Sequence, residues 1–192
     1  MRKFIIVFGI FLTQLSFSQE ELVFDGIKVK TSIKVDDGDS KTKLVLNGAG
    51  VRDKMWINLY VQALYVLEKT DDPKKILEGD QTIATRLHIT SSLVSKKKLI
   101  QAIEEGVEKS YKGDLNAIRG RLNIFMTFFE TQLDKDGYAD FVYSSNTKET
   151  SVYINKKFIG KVPGQDFRTA FFGIWLADDC VDKTLKKRLL GL

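Results

Sequence analysis

The chain has 192 residues, of which 43% are hydrophobic, and a formal net charge of +5. This length and apolar content suffice for one domain with a sizeable core and are too small for two domains. One histidine and one cysteine exclude a histidine-rich metal site, a Cys/His zinc cluster and an intrachain disulfide, and lysines scattered among acids argue against a nucleic-acid partner.

The N-terminal segment has the three-part pattern of a secretory signal peptide. Arg2 and Lys3 precede an apolar run, Phe4–Leu12, and small residues follow at Ser16 and Ser18. The run is too short to cross a bilayer comfortably, although an N-terminal anchor that stays attached is the alternative. We expect cleavage after Ser18. The mature domain, residues 19–192, is then expected to be periplasmic or secreted without a stable membrane anchor.

The first strands are predicted on either side of a central glycine-rich segment. Leu22–Val29 alternates as a strand with a possible bend at Asp25, and Asp36–Ser40 is a polar turn that lacks the spacing of a calcium loop. In Leu44–Glu68, the turn formers at residues 47–50 predict a break, with a second strand following from Met55. Alternation along that strand predicts a core face and a half-polar cavity wall, the latter including Trp56, Asn58 and Tyr60.

The remaining pattern predicts helices and strands in alternation. The predicted elements are a helix at Lys74–Leu77, a strand at Thr82–Thr90, a helix at Ser95–Lys109 capped by Ser95, a helix from Asp114 to about Leu133, strands at Tyr138–Tyr143, Ser151–Ile154 and Phe158–Val162, a helix after Pro163, and a last short helix capped by Asp182. This order predicts an α+β domain in which one mostly antiparallel sheet carries helices on a face.

Arg52 is the strongest candidate for a functional side chain. It lies between a glycine-rich bend and a long apolar strand, and its planar fork can hold a carboxylate bidentately, with the Tyr60 hydroxyl as a second donor. A structural salt bridge is the alternative. His88, a lone strand histidine, is predicted to be packed rather than catalytic, and Cys180 to be a buried thiol.

Three segments resemble the chalcone isomerase family, and most closely its bacterial, secreted chalcone isomerase-like branch. They are Leu46–Arg52, Tyr60–Glu68 and Pro163–Leu176, and the similarity runs in the same order from about Val23 to Leu190. The resemblance implies an open-faced β-sandwich, with a large antiparallel sheet, a layer of helices and a ligand cleft between them. It also implies that members are either isomerases of chalcones or non-catalytic proteins, including fatty-acid-binding ones.

The family's site residues match this chain only in part. The arginine that steadies the substrate anion falls on Arg52. The position of an enzyme threonine falls on Tyr60, and a tyrosine at this position is similar to the fatty-acid-binding branch. The enzymes' tyrosine falls near Val94, their asparagine near Gln101 and a second threonine on Ile174. The lysine has no assigned match, and the segment joining Arg52 to the Tyr60 strand is shorter than in the enzymes. These departures favour a more apolar cleft that lacks the proton-transfer network of the enzymes.

The leading hypothesis is a non-catalytic protein that holds a small apolar carboxylate, such as a fatty acid, without cofactor or metal. Its ligand-binding residues would be Arg52, Tyr60, Asn58, Trp56, Gln101 and Ile174. An isomerase of the chalcone–flavanone type, acting as an intramolecular lyase, is the second hypothesis. The third is a structural or partner-binding protein with a vestigial cleft, which an arginine locked to an acidic side chain would favour.

Overall fold

A computed structural model describes residues 21–130 and 133–192. The predicted signal peptide, residues 1–18, lies outside the described residues. The strands are β1 (Glu21–Phe24), β2 (Ile27–Lys30), β3 (Ser32–Asp37), β4 (Ser40–Lys54), β5 (Ile57–Val66), β6 (Ile83–Ile89), β7 (Tyr138–Ser144), β8 (Glu149–Ile154) and β9 (Lys157–Pro163). The α-helices are α1 (Pro73–Glu78), α2 (Lys96–Ser110), α3 (Leu115–Thr127), α4 (Gln165–Leu176) and α5 (Lys183–Leu189), with a 3₁₀ turn at Phe128–Glu130.

The described strands form a hairpin, β1–β2, and one antiparallel sheet in the order β3-β4-β5-β6-β7-β8-β9. Neighbours along the sheet are also neighbours along the chain, and α1 to α3 occupy the connections on either side of β6. The predicted α+β class is therefore confirmed. The sheet curls, so that β3 returns across one face and reaches the end of β7, where Ser144 donates a hydrogen bond to Asp37 at 2.5 Å.

The helices cover the opposite face of the sheet, which we call the helix face. Its core is rich in phenylalanine because α3, α4 and β7 all direct aromatic side chains into it. The ring centroid of Phe171 lies 4.8 Å from that of Phe125 and 4.8 Å from that of Phe141. All three are buried, and such close, tilted ring pairs add to the free energy gained from burial alone.

The predicted break at residues 47–50 is wrong. Strand β4 continues through these residues, with a register shift between Leu46 and Gly48, and the chain instead reverses at Met55 and Trp56. Both turn residues have left-handed backbones, with φ of 52° and 69°, as a two-residue hairpin requires. The glycine at position 48 serves packing: a Cβ there would overlap the Arg188 carbonyl oxygen of α5.

Several local predictions agree with the structure. Ser95 caps α2 and Asp182 caps α5, each through a side-chain oxygen that accepts backbone N–H groups. The predicted long helix from Asp114 is shorter than expected, since α3 ends at Thr127 and a 3₁₀ turn follows. Cys180 is a buried free cysteine. Within the described residues, no helix is both long and apolar enough to cross a membrane.

Candidate ligand-binding site

Arg52 and Tyr60 are brought together by the β4–β5 hairpin. The two residues are direct partners in the antiparallel register, close to the turn that joins the strands. Residues paired in this way on one face lie about 5 Å apart at their Cβ atoms. The predicted pairing of guanidinium and hydroxyl is therefore what the backbone places at this end of the sheet.

Arg52 already holds a carboxylate. Its Nη1 lies 2.8 Å from Oδ2 of Asp182, and the two side chains are only 19% and 13% exposed. The other oxygen of Asp182 accepts the backbone N–H groups of Thr184 and Leu185, which caps α5. A single carboxylate thus joins the end of β4 to the start of α5. In this conformation Arg52 makes the structural ion pair that was the alternative to a ligand site.

The Tyr60 hydroxyl is held by α4. The indole Nε1 of Trp175 donates a hydrogen bond to it at 3.0 Å, which gives the buried tryptophan the polar partner that its N–H needs. Burial raises the pKa of Tyr60 to about 12, although the Trp175 bond and the nearby Arg52 charge act in the opposite direction. The phenol is therefore neutral, and its own proton remains available for donation to an acceptor.

A family model described as chalcone isomerase-like matches residues 21–191. The chain belongs to the chalcone isomerase-like family. Among solved structures, an Arabidopsis thaliana fatty-acid binding protein is similar over 89% of this chain and 96% of its own, with a TM-score of 0.71 and 18% sequence identity. At that identity the likeness shows the fold alone. A comparison with curated protein sequences finds no match.

The other predicted site residues of this chalcone isomerase-like chain are spread out. Trp56 lies at the hairpin turn with its side chain fully exposed, so it does not form the predicted cavity wall. Asn58 is exposed and donates to Asp25 at 2.9 Å. Gln101 is also exposed and donates to Glu105 within α2. For Trp56 and Asn58 the physical reason is that the chain turns at Met55 and Trp56, so the first residues of β5 lie at the exposed end of the sheet.

Ile174 and Val94 lie on the helix face. Ile174 is buried in α4, next to Trp175, and packs against Gly106 of α2, where an added Cβ would come within 2.8 Å of it. Val94 is partly buried against the same core. The structure therefore brings Arg52, Tyr60, Trp175 and Asp182 together where β4, β5, α4 and α5 meet. Ile174 lies on the side of α4 that packs against α2, and Trp56, Asn58 and Gln101 lie at the surface.

Trp175 and Asp182 are the residues that sequence reasoning assigned only to helix packing and helix capping. Trp175 lies 115 residues from Tyr60, and Asp182 lies 130 residues from Arg52. The only signal in the sequence was chemical: a tryptophan on a buried helix face requires a partner for its N–H. Among the described residues, no group of histidine, cysteine or acidic side chains is arranged to hold a metal ion.

Arg168 is a second inward-facing arginine, and it serves the fold. It is fully buried and donates to the carbonyl oxygens of Ile76 and Leu77 at the end of α1, while its guanidinium lies 4.9 Å from the ring centroid of Tyr143. Burial lowers the pKa of Arg168 to about 10. The carboxyl end of a helix carries partial negative charge, so the guanidinium of Arg168 in α4 stabilises the packing of α1 against α4.

Proposed function

We propose that this protein binds a small apolar carboxylate, such as a fatty acid, without catalysing its conversion. The observation that supports this proposal is the carboxylate that Arg52 already holds. Asp182 reaches the guanidinium at 2.8 Å beside a neutral Tyr60 hydroxyl, so charge, distance and a second donor suit a carboxylate at this position. A fatty-acid binding protein shares the fold, which agrees with the proposal.

The ligand carboxylate would replace the oxygen of Asp182 that faces Arg52. Its tail would enter the helix-face core near Tyr60, where Ile103, Ile174 and Leu64 are packed and buried in this conformation. Each fully buried CH₂ group contributes about 0.8 kcal/mol. The tail would therefore provide most of the affinity, and Arg52 would fix the orientation of the head group.

The positions that match the enzymes' polar residues support a binding role over an isomerase. Val94 and Ile174 are apolar, and Gln101 makes its hydrogen bond at the surface with Glu105. Cyclisation of a chalcone requires stabilisation of an anion together with managed proton transfer. We also propose export to the periplasm or beyond, on the basis of the signal-peptide pattern in residues 1–18.

A structural or partner-binding protein with a closed cleft is the second candidate. The Arg52–Asp182 ion pair and the Trp175–Tyr60 hydrogen bond favour it, because together they close the place where a ligand head group would bind. The two candidates differ in what Asp182 does. In a binding protein it competes with the ligand, whereas in a structural protein it only joins β4 to α5.

Displacement of dansylaminoundecanoate, a fluorescent fatty acid, separates the two candidates. We expect Arg52→Ala to weaken binding and Asp182→Asn to strengthen it, because asparagine still caps α5 but no longer neutralises Arg52. Asp114→Asn is the matched control, since Asp114 caps α3 in the same way, through the backbone N–H of Asn116. Equal affinities in all variants would remove the proposed role of Arg52. Absence of binding in all of them would favour the structural candidate, and Arg52-dependent chalcone cyclisation would establish an isomerase.

A further inference from the structure

The face of the sheet opposite to the helices carries a groove that the proposed function does not use. We call it the open-face groove. It has a volume of about 500 Å³ and lies where β3 curls back over β5 to β8. Its apolar and aromatic lining includes Ile33, Val35, Tyr65, Ala84, Val142 and Tyr153. The volume falls within the range of small-molecule sites.

Two cross-strand rows form the floor of the open-face groove. In the first row, Tyr65, Ala84 and Val142 are direct partners across β5, β6 and β7. The second row, two residues along, places Arg86 opposite Asp140, which is in turn opposite Tyr153. Side chains two residues apart on a strand share a face, so both rows point into the groove. The small Ala84 leaves a flat apolar surface between the aromatic and charged residues around it.

Tyr65 supplies an unused polar atom at this floor. Its side chain is 1% exposed and lines the groove, yet its hydroxyl makes no hydrogen bond to any described residue. This hydroxyl is reached by solvent through the groove, and a ligand atom there would take the place of a water. Arg86 is different, because its guanidinium holds Asp140 through two bonds of 2.6 and 2.8 Å and is therefore already neutralised.

The rim of the groove is basic. Lys30, Lys34, Lys43 and Lys156 are all exposed, and none of them forms an ion pair with another described residue. Lys34 and Lys43 lie directly opposite each other on β3 and β4, an arrangement that repulsion between like charges disfavours. With Arg86 as the fifth cation and two carboxylates, Asp36 and Asp140, the lining carries a net charge of +3. An anion at the rim would relieve this repulsion.

We propose that the open-face groove binds an organic anion with a flat apolar body. The body lies on Ala84 and Val142, a polar atom bonds the Tyr65 hydroxyl, and the anionic group lies among the rim lysines. This site is separate from Arg52 and Tyr60, because its residues belong to the second core cluster of the sheet rather than to the helix face. Its occupation therefore does not depend on the proposed function.

Anilinonaphthalene sulfonate, an aromatic anion with a flat naphthalene ring, is a suitable probe. We expect the double variant Lys34→Glu/Lys43→Glu to weaken its binding at least about fivefold, since two favourable charge interactions become repulsive. The double variant Lys96→Glu/Lys97→Glu, which makes the same charge change on the exposed start of α2, is the matched control and should bind like wild type. Tyr65→Phe should weaken binding about three- to tenfold through loss of one hydrogen bond.

Amide chemical shifts in NMR spectra locate the probe. We expect shifts at β3, β6 and β7. Equal weakening in the two double variants, or shifts confined to α2 and α4, would overturn the proposal. Failure of one proposal is distinguishable from failure of the other, because the fatty-acid assay tests Arg52 and Asp182 whereas the probe assay tests Lys34, Lys43 and Tyr65.

Discussion

The two faces of the central sheet are built in different ways. On the helix face, Phe125, Phe141 and Phe171 fill the space with rings whose centroids lie about 5 to 6 Å apart. On the open face, β6 carries alanine at position 84, and β6 and β7 carry the Arg86–Asp140 ion pair. Because side chains alternate along a strand, one run of residues supplies both surfaces.

The two faces are also held in different ways. Apolar burial fixes the helices to their face, and its strength scales with the area removed from water. The curl of β3 across the open face ends in a polar cluster, in which the carboxylate of Asp37 accepts hydrogen bonds from Thr42, Thr82 and Ser144. Such a face keeps room for a ligand, because small side chains and hydrogen bonds hold the strands without filling the groove.

Truncation of a core ring should give the largest difference between the faces. We expect Phe171→Ala to lower the free energy of unfolding by about 3–5 kcal/mol, because it leaves a cavity among rings that cannot collapse into it. Val142→Ala, on the open face, should cost only about 1–2 kcal/mol, since a smaller group leaves a site beside an existing groove. Urea denaturation measures both changes. Equal losses would contradict the contrast.

A glycine substitution tests how tightly α5 packs on β4. Gly48→Ala should destabilise the fold by about 1–3 kcal/mol, because the new Cβ overlaps the Arg188 carbonyl and lies 2.7 Å from that of Leu189. Backbone atoms cannot move aside as a flexible side chain can. Gly120→Ala is the control: it lies within α3 with no heavy atom within 4 Å of the new Cβ, so it should stabilise by about 0.4–1 kcal/mol. Thermal unfolding distinguishes a loss from a gain.

The sequence predicts elements well where local chemistry decides them. Ser95 and Asp182 are caps because their side-chain oxygens accept backbone N–H groups from the first turn of the helix that follows. In α4, apolar residues at helical spacing predict the face that is buried. The hairpin turn at Met55 and Trp56 was missed because neither residue is a usual left-handed former. The nearby glycines predict a turn, but the glycine at position 48 instead allows α5 to pack closely on β4.

The candidate site could be predicted only as far as neighbouring strands allow. Arg52 and Tyr60 are eight residues apart on a hairpin, so their proximity follows from local pairing. The acceptor of Arg52 and the donor to Tyr60 come from α5 and α4, and only the tertiary fold brings these helices to that end of the sheet. The open-face groove was missed for the same reason, since it depends on the curl of β3 over β5 to β8.

Loss of the Asp37 charge in acid should lower the free energy of unfolding, by less than Phe171→Ala or Gly48→Ala does. Burial raises the pKa of Asp37, but the hydrogen bonds from Ser144, Thr82, Thr42 and the Asn146 backbone outweigh it and hold the pKa below its ordinary value of 3.8. A carboxyl whose pKa is lower in the folded state than in the unfolded state stabilises the fold at pH values above its unfolded-state pKa. That contribution is lost as the pH falls through the folded-state pKa. Asp37→Asn should therefore cost on the order of 1 kcal/mol at neutral pH, and the gap from wild type should close in acid.

Asp39→Asn, an exposed change in the same turn, is the control for this last prediction. Chemical denaturation from about pH 7 to about pH 2.5 gives the difference between each variant and wild type, which removes the contributions of other carboxylates. Hydrogen exchange locates the change, because loss of the Asp37 contacts should release amides of β3 and the end of β7 before those of α4. A gap that stays constant with pH, or exchange that rises first in α4, would show that the polar cluster does not hold the open face.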